Sequence, residues 1–288
     1  MDNLYSKRPN LILGFHGCDK LIAEKVINGI FDLKKSKNDY DWLGSGIYFW
    51  QNSPERAMEY ARTAMGRKGS TIKEPAVVGA IIDLGNCLDL LEMKHIQEVK
   101  SAYTVFDKIE KKDKSQNELI QYGLPMLRKL DRAVIEMVHT IRKNKENLFT
   151  EVENMFRTIS LLIKQIDETE YKNIIRDCFS KLLDIYEEEN LEELFGLELL
   201  KNILDFIKNG GDEETIIKEI DDHANQLRTF TTNFAPYDSV RGSFLEGQEL
   251  YPNAGFREKN HIQICVRNKN CIKGFFKPRD MDGSYPNP

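Results

Sequence analysis

Two kinds of hydrophobic pattern follow one another along this chain. Short apolar runs bounded by glycine or polar residues predict β-strands at 11–15, 46–49, 76–83 and 261–266. Between the third and the fourth run, apolar residues recur every three or four positions, which is the spacing of an amphipathic helix. The pattern therefore predicts an α+β protein in which a helical part interrupts a β-rich part.

The helices are predicted from apolar stripes and from signals at their ends. One helix is expected at 20–28, directly after the first strand. In the middle of the chain, helices are expected at 118–142, 149–166, 174–186 and 191–208, and another from Asp212, with acidic residues in its first turn. The segment 234–256 is rich in glycine, proline, asparagine and aromatic residues, so we expect a long loop that lines a functional site.

Charge is divided along the chain in the same way. The 288 residues have a net charge of −5, but residues 143–228 contain 21 acidic and only 11 basic side chains. We therefore expect an inserted acidic helical subdomain at 143–228, within a domain formed by 1–142 and 229–288. The acidic surface is either a solvated outer face or a binding surface for a basic partner.

Composition limits the class of protein further. The five cysteines are scattered singly without a C-x-x-C pair, which argues against a disulfide framework and against a zinc site. The first residues lack the apolar core of a signal peptide, and no apolar run approaches the length of a membrane helix. The expectation is a cytoplasmic protein without a metal and without a membrane partner.

Two short strings near the N-terminus are candidates for chemistry. They are Phe15-His16-Gly17 and Gly44-Ser45-Gly46-Ile47-Tyr48-Phe49. Each places a polar ring beside glycines, which permit close approach of the backbone, and a rigid aromatic ring can stack on a flat heterocycle. Together the strings predict a site for such a ligand.

The order of these strings resembles the catalytic domain of the poly(ADP-ribose) polymerases. The matching segments are 14–19, 27–30, 44–49, 57–61 and 78–90. The portion from Asp41 to Tyr48 is also similar to diphtheria toxin and its relatives, which belong to the same ADP-ribosyltransferase superfamily. The likeness covers about the first 90 residues well and the last 30 loosely, and it does not include the central helical block.

The resemblance implies an ADP-ribosyltransferase-like split β-sandwich that binds NAD as a substrate in a cleft, without a metal. His16 would hydrogen-bond a ribose hydroxyl, and the backbone of Gly17 would pair with the nicotinamide carboxamide. Tyr48 would stack on the nicotinamide ring, Tyr60 would close the opposite face, and Gly46 would allow the backbone to approach.

The chain departs from the family at the glutamate that usually lies on a strand near the C-terminus. Gln263 occupies the corresponding position. Strand alternation places His261 and Gln263 on one face, so both are predicted to reach the cleft, where the imidazole could act as a base and the amide could not. Glu246, with glycines on either side of it, is the alternative carboxylate, and Glu258 is a further one. The third catalytic position is therefore open among these residues.

A second departure is Phe31, which stands where polymerases have an arginine for the adenine-side phosphate. Arg241, Arg257 or Lys259 is expected to supply that charge, or else adenosine binding is weaker. The aromatic and basic residues that alternate over 237–257 suit the NAD pyrophosphate or, alternatively, a nucleic-acid acceptor.

The missing glutamate implies mono-ADP-ribosyl transfer, because extending a polymer requires activation of an acceptor ribose. The expected protein is a bacterial toxin or defence effector that modifies a protein or a nucleic acid, and the helical block could bind a neutralising or regulatory partner. Three alternatives stay open. They are an NAD glycohydrolase, a non-catalytic module that binds NAD or ADP-ribose, and an RNA 2′-phosphotransferase that uses His16 and His261.

Overall fold

The computed structural model describes residues 11–38, 41–109, 116–121, 124–164, 177 and 213–279. The chain divides into two compact units, a β-rich unit of residues 1–140 and 237–288 and a helical unit of residues 141–236. The division drawn from the sequence places these boundaries after 142 and after 228. The helices predicted at 174–186 and 191–208 lie, but for residue 177, outside the described residues.

The β-rich unit is built on a seven-stranded mixed sheet. Its strands are β1 (Leu11–Asp19), β2 (Ile47–Gln51), β3 (Pro75–Asp83), β4 (Cys87–Asp89), β7 (Ser239–Phe244), β8 (His261–Val266) and β9 (Ile272–Phe276). Their order across the sheet is β4-β7-β8-β2-β1-β3-β9, in which β4 and β7 are parallel and all other neighbours are antiparallel. Two further strands, β5 (Asn117–Gln121) and β6 (Leu124–Arg128), pair antiparallel with each other.

The helices of the described residues are α1 (Lys20–Ile27), α2 (Pro54–Met65), α3 (Met93–Ile109), α4 (Lys129–Ile163) and α5 (Glu213–Asn233). The α+β class predicted from the sequence is therefore confirmed. Within the part of the chain that the structure describes, no helix combines the length and the hydrophobicity needed to span a lipid bilayer.

Two local predictions were wrong. The segment 118–128 was predicted to be helical, but residues 118–121 belong to β5 and residues 124–128 form β6, and α4 begins only at Lys129. Pro125 explains the difference, because proline has no backbone N–H and disfavours a helical conformation in the residue before it. The predicted loop 234–256 contains strand β7, which is held by pairing with β8 on one side and β4 on the other. Those partners are distant in sequence, so the local composition gave no sign of them.

Alternation along β1 and its neighbours creates a core on each face of the sheet. On one face, Phe49, Val78 and Ile264 are fully buried, and α1 covers them with Ala23 and Val26. On the other face, a smaller cluster contains Phe15, Trp50 and Ala57 of α2. The sheet therefore lies between α1 and α2.

In the helical unit, the second half of α4 runs antiparallel to α5. The ring of Phe149 stacks on that of Phe234 with 5.4 Å between centroids, and the ring of Phe156 meets the edge of His223 at 4.7 Å. At the start of this unit, Arg142 donates hydrogen bonds to the backbone carbonyls of Asn233 and Ala235, at 2.6 and 3.0 Å. This guanidinium joins the beginning of the helical unit to its end.

Candidate functional site

A cavity opens where β1 and β2 separate. In backbone register the two strands pair only through Gly14 with Gln51 and Phe15 with Trp50, and the ladder between them ends there. The cavity has a volume of about 600 Å³, which is within the usual range for small-molecule sites. Its described lining belongs entirely to the β-rich unit.

The lining is aromatic and carries both signs of charge. Four aromatic side chains take part, namely Trp42, Tyr48, Trp50 and Tyr60. The charged groups are the cations Lys34, Arg56, Arg67 and Lys259 and the carboxylates Asp41, Glu59 and Glu246. The remaining lining residues are His16, Ser36, Asn38, Gly46, Thr63, Leu127 and Gln263. Such a surface suits a ligand that has both flat rings and charged groups.

His16 and Tyr48, which lie far apart in sequence, are in direct contact. His16 Nδ1 lies 2.8 Å from the carbonyl oxygen of Tyr48. Because a carbonyl can only accept, Nδ1 carries the proton and Nε2 is left as the acceptor of the neutral ring. Burial lowers the pKa of His16, and the bond to Tyr48 opposes this shift only partly. The imidazole is therefore neutral at pH 7.

Tyr48 is fixed by the chain segment that precedes it. Its hydroxyl donates to the carbonyl of Gly44 at 2.7 Å and accepts from the N–H of Leu43 at 3.0 Å. Burial raises the pKa of Tyr48, so the phenol stays protonated. Asp41 holds the same segment, because its buried carboxylate accepts from the N–H of Asn38 at 2.7 Å, and burial raises its pKa. The ring of Tyr48 is thus held in one orientation at the cavity wall.

Gly44 and Gly46 of this segment are each required for a different structural reason. Gly44 has a φ of +81°, which favours glycine. A Cβ on Gly46 would lie 2.4 Å from the sulfur of Cys265, so only glycine permits the approach of β8.

Glu136 of α4 accepts from the N–H of Ser45 at 2.6 Å and pairs with Arg267 at 3.0 Å. Although burial opposes ionisation, these contacts lower the pKa of Glu136 to about 2.

Opposite charges form a chain along one wall of the cavity. Arg56 of α2 pairs with Glu246 at 2.7 Å and also with Glu59, which in turn pairs with Lys259. Although partial burial opposes ionisation, the hydrogen bonds from Lys259 and Arg56 lower the pKa of Glu59. The network connects α2 with both ends of the segment 246–259, so two carboxylates and two cations line this wall of the cavity.

Gln263 also lines the cavity, and His261 lies behind it. The side-chain nitrogen of Gln263 is 3.0 Å from Nε2 of His261, while Nδ1 of His261 is 2.7 Å from the carbonyl of Lys259. His261 is buried and is not part of the cavity lining. The prediction that both side chains would reach the cleft is therefore matched by Gln263 but not by His261.

Of the other predicted site residues, some line the cavity and others do not. Tyr60 and Gly46 line the cavity, and Tyr60 lies 5.1 Å from the ring of Trp50 and under the guanidinium of Arg67. Gly17 packs against α2, where a Cβ would lie 2.1 Å from a backbone oxygen, and it is not part of the lining.

Arg241, predicted to meet the NAD phosphates, is engaged elsewhere. It pairs with Asp89 at 2.9 Å and donates to Gln51 at 2.8 Å, and it does not line the cavity. Arg257 lies 3.4 Å from Glu249 and is outside the lining as well, whereas Lys259, the third cation considered, is part of it. Glu258 is not part of the lining.

Sequence reasoning missed three lining residues of α2, namely Arg56, Glu59 and Thr63, and also Arg67, which follows the helix. Tyr60, which was predicted, lies on the same helix. The three missed residues of α2 are three and four positions apart, which is the spacing of one helix face and could have indicated the wall. Nothing local indicated Lys34 or Trp50 as part of the same cavity.

Comparisons of this chain with models of protein families, with curated proteins and with solved structures find no match. Within the described residues, no group of side chains is arranged to hold a metal ion. The geometry of the cavity itself therefore carries the functional argument.

Proposed function

We propose that this protein is a mono-ADP-ribosyltransferase that binds NAD in the cavity and transfers its ADP-ribose to a macromolecule. The observation that supports this most is the contact between His16 and Tyr48 at the separation of β1 and β2. The two strings that carry the sequence resemblance are 32 positions apart, yet these residues line one cavity together with Gln263 and Glu246. The proposal includes a sandwich-like arrangement of the sheet of the kind found in ADP-ribosyltransferases.

The chemistry of this lining suits cleavage of the nicotinamide–ribose bond. As that bond breaks, its electron pair moves to the pyridinium nitrogen, and nicotinamide leaves as a neutral ring. The fixed ring of Tyr48 would hold the nicotinamide by stacking, and Nε2 of His16 would accept a hydrogen bond from a ribose hydroxyl. The ribose becomes cationic in the transition state, and nearby carboxylates such as Glu246 would stabilise that charge.

The nucleophilic atom of the acceptor then forms a bond to the anomeric carbon that nicotinamide has left, and its proton passes to solvent water. A glutamine amide at 263 cannot take up a proton at neutral pH, which favours single transfer to a reactive acceptor over activation of a ribose for chain growth. Arg56 and Lys259, which are already paired with carboxylates, would contribute positive charge towards the pyrophosphate. We propose a protein or a nucleic acid as the acceptor.

A second candidate function is a non-catalytic module that binds NAD or ADP-ribose. Gln263 in place of a carboxylate favours it, because the cavity would keep a hydrogen-bonding group there while lacking a base. A transferase cleaves the NAD that it binds, whereas a binding module leaves the NAD intact.

The test is incubation of the purified protein with NAD labelled on the adenylate, together with total RNA, DNA and a cleared lysate. We expect label on one class of macromolecule, lost in His16→Ala and kept in His95→Ala, since His95 contacts the backbone of Asp89 and does not line the cavity. Free labelled ADP-ribose without labelled acceptor would show a glycohydrolase instead. NAD that stays intact but binds would favour the binding module, and NAD that does not bind would contradict both.

A further inference from the structure

The contact between His261 and Gln263 fixes which atoms carry hydrogen. The carbonyl oxygen of Lys259 lies 2.7 Å from Nδ1 of His261 and can only accept, so Nδ1 carries a proton. Burial of the ring lowers the pKa of His261, so the imidazole is neutral at pH 7 and its Nε2 has a lone pair. The neighbour of Nε2 must therefore be a donor.

The only donor group of the Gln263 side chain is its NH2 group, whose nitrogen lies 3.0 Å from Nε2 of His261. The other end of the planar amide, the oxygen Oε1, then points away from the imidazole. Since Gln263 lines the cavity and His261 does not, this orientation leaves the oxygen for the cavity side. Among the described residues, no hydrogen bond to Oε1 occupies it.

We propose that His261 is a positioning residue that holds the Gln263 amide with its carbonyl oxygen towards the cavity, as the acceptor for a hydroxyl group of the bound ligand. The identity of that hydroxyl as a ribose hydroxyl of NAD rests on the proposed function. The hydrogen bonds from Lys259 through His261 to Gln263 fix the orientation of the amide, so that it presents only its oxygen, an acceptor, to the cavity. A carboxylate would accept in the same way, but it would add a charge and could take up a proton.

This pair of hydrogen bonds makes the orientation of the Gln263 amide depend on pH. Protonation of His261 puts a hydrogen on Nε2, so the amide must rotate and present its NH2 group to the cavity instead of its oxygen. The groups that face His261 are the ring of Phe244 on β7, the Lys259 carbonyl, Arg56 and Glu59 on α2, and Glu246. Arg56 opposes protonation and the two glutamates favour it, while burial opposes it most.

The geometry can be tested without any ligand, by NMR of the full chain with ¹⁵N-labelled histidine and glutamine. We expect the neutral ring of His261 to be the Nδ1–H tautomer, and the Gln263 side-chain signals to shift on acidification with the same midpoint as His261. In Gln263→Glu, the midpoint of His261 should rise, because a carboxylate beside Nε2 favours the proton there. An Nε2–H tautomer at neutral pH would overturn the proposal, as would Gln263 signals that do not follow His261.

The role of His261 in the binding or turnover of NAD is tested by a double-mutant cycle with Gln263. We expect His261→Leu to lower kcat/KM, or the affinity if NAD is only bound, by about 3- to 10-fold, the usual effect of one positioned hydrogen bond. The double variant His261→Leu/Gln263→Ala should be no worse than Gln263→Ala alone, because the imidazole acts only through the amide. Effects that multiply, or a His261→Leu variant equal to the wild type, would contradict the positioning role.

His223→Leu is the matched control, since His223 is also a buried histidine but belongs to the helical unit. It should leave the NAD measurements unchanged. If the wild-type protein neither binds nor cleaves NAD, the proposed function fails, whereas the tautomer of His261 and the coupled titration still decide the inference about Gln263.

Discussion

At the scale of single residues, the cavity depends on polar atoms that the protein's own backbone already engages. His16 and Tyr48 are each held by a backbone carbonyl, of Tyr48 and of Gly44 respectively. A side chain held in this way loses little freedom when a ligand binds, so more of the contact energy is available for positioning. Substitutions at single residues can therefore distinguish a group that holds a neighbouring side chain from a group that contacts the ligand.

For Tyr48, the ring and the hydroxyl have separable roles. Tyr48→Phe keeps the ring but removes the hydrogen bonds to Gly44 and Leu43, so we expect a loss of about 1 kcal/mol in the free energy of unfolding. NAD affinity should stay within about 3-fold of the wild type, whereas Tyr48→Ala should lower it on the order of 10-fold by removing the stacking surface. Urea unfolding and calorimetric titration measure the two effects. Equal NAD affinities for both variants would contradict a stacking role.

For the third catalytic position, Glu246 and Gln263 are compared directly. If the carboxylate acts on the developing positive charge, Glu246→Gln should slow NAD cleavage on the order of 100-fold while changing NAD affinity little. The pairing with Arg56 at 2.7 Å would also weaken, so Arg56→Gln is measured beside it. Because Arg56 is itself proposed to meet the pyrophosphate, that variant should lose NAD affinity as well as the ion pair. Single-turnover rates measure the effect. A normal rate in Glu246→Gln together with a slow rate in Gln263→Ala would assign the role to Gln263.

At the scale of elements, α4 secures the glycine-rich segment that leads into β2. Glu136 accepts from Ser45 and pairs with Arg267, and its pKa of about 2 lies below the ordinary value of 4.5. The ionised side chain therefore stabilises the fold fully above pH 4.5, and this contribution is lost as the pH falls towards 2.

From this contact we predict that Glu136→Gln lowers the free energy of unfolding at pH 7 by about 2 kcal/mol, because hydrogen bonds to a charged group are lost. The difference between wild type and variant should shrink between pH 4.5 and pH 2, as the wild-type carboxylate becomes protonated. Urea unfolding across this pH range gives both numbers. A difference that does not depend on pH would show that ionisation of Glu136 is not what holds the segment.

In the helical unit, the core contains a histidine that does not ionise easily. His223 is buried beside Phe156, and burial lowers its pKa from 6.5 to about 4. Between these two values the unfolded chain binds a proton that the folded chain does not, so stability falls as the pH is lowered through this window.

We therefore predict that the helical unit loses stability on acidification from pH 6.5 to pH 4, by at most roughly 3 kcal/mol. His223→Leu should remove this contribution, since leucine fills the same apolar surroundings without a titrating group. Hydrogen exchange of backbone amides in α4 and α5 at both pH values measures it. An equal loss in the variant would assign the acid sensitivity to other groups.

At the scale of the whole molecule, the chain divides into a β-rich unit and a helical unit. Every lining residue that the structure describes belongs to the β-rich unit. Arg142 joins the chain entering the helical unit to the chain leaving it, through the carbonyls of Asn233 and Ala235. A deletion beyond this link is therefore expected to leave the β-rich unit folded.

The corresponding prediction concerns a chain in which residues 146–228 are replaced by a short glycine-serine linker. We expect it to bind NAD within about 3-fold of the full chain, because 1.4 kcal/mol would already change affinity tenfold and none of the described lining side chains is removed. Circular dichroism and NAD titration check this. Higher turnover in the shortened chain would show that the insertion restrains the enzyme, while loss of folding would show that the β-rich unit depends on it.

The sequence by itself determined the class of fold and the local elements with strong periodicity. Strand β8 was predicted at its observed bounds, and α1 within one residue of them, because alternation and helical spacing are local properties of neighbouring side chains. It also drew attention to His16 and Tyr48, since rings beside glycines are recognisable without knowing what they contact. These features depend on a few consecutive residues.

Only the tertiary structure decided which side chains share the cavity. Arg241, which looked available for a phosphate, pairs with Asp89, while Arg56 and Glu59 come into the wall from α2. His261 lies behind Gln263 instead of beside it in the cavity. Such choices depend on burial and on partners that are distant in the chain, and alternation along a strand gives the face of a side chain but not what covers that face. The separation of β1 and β2, which opens the cavity, is likewise a property of the whole sheet.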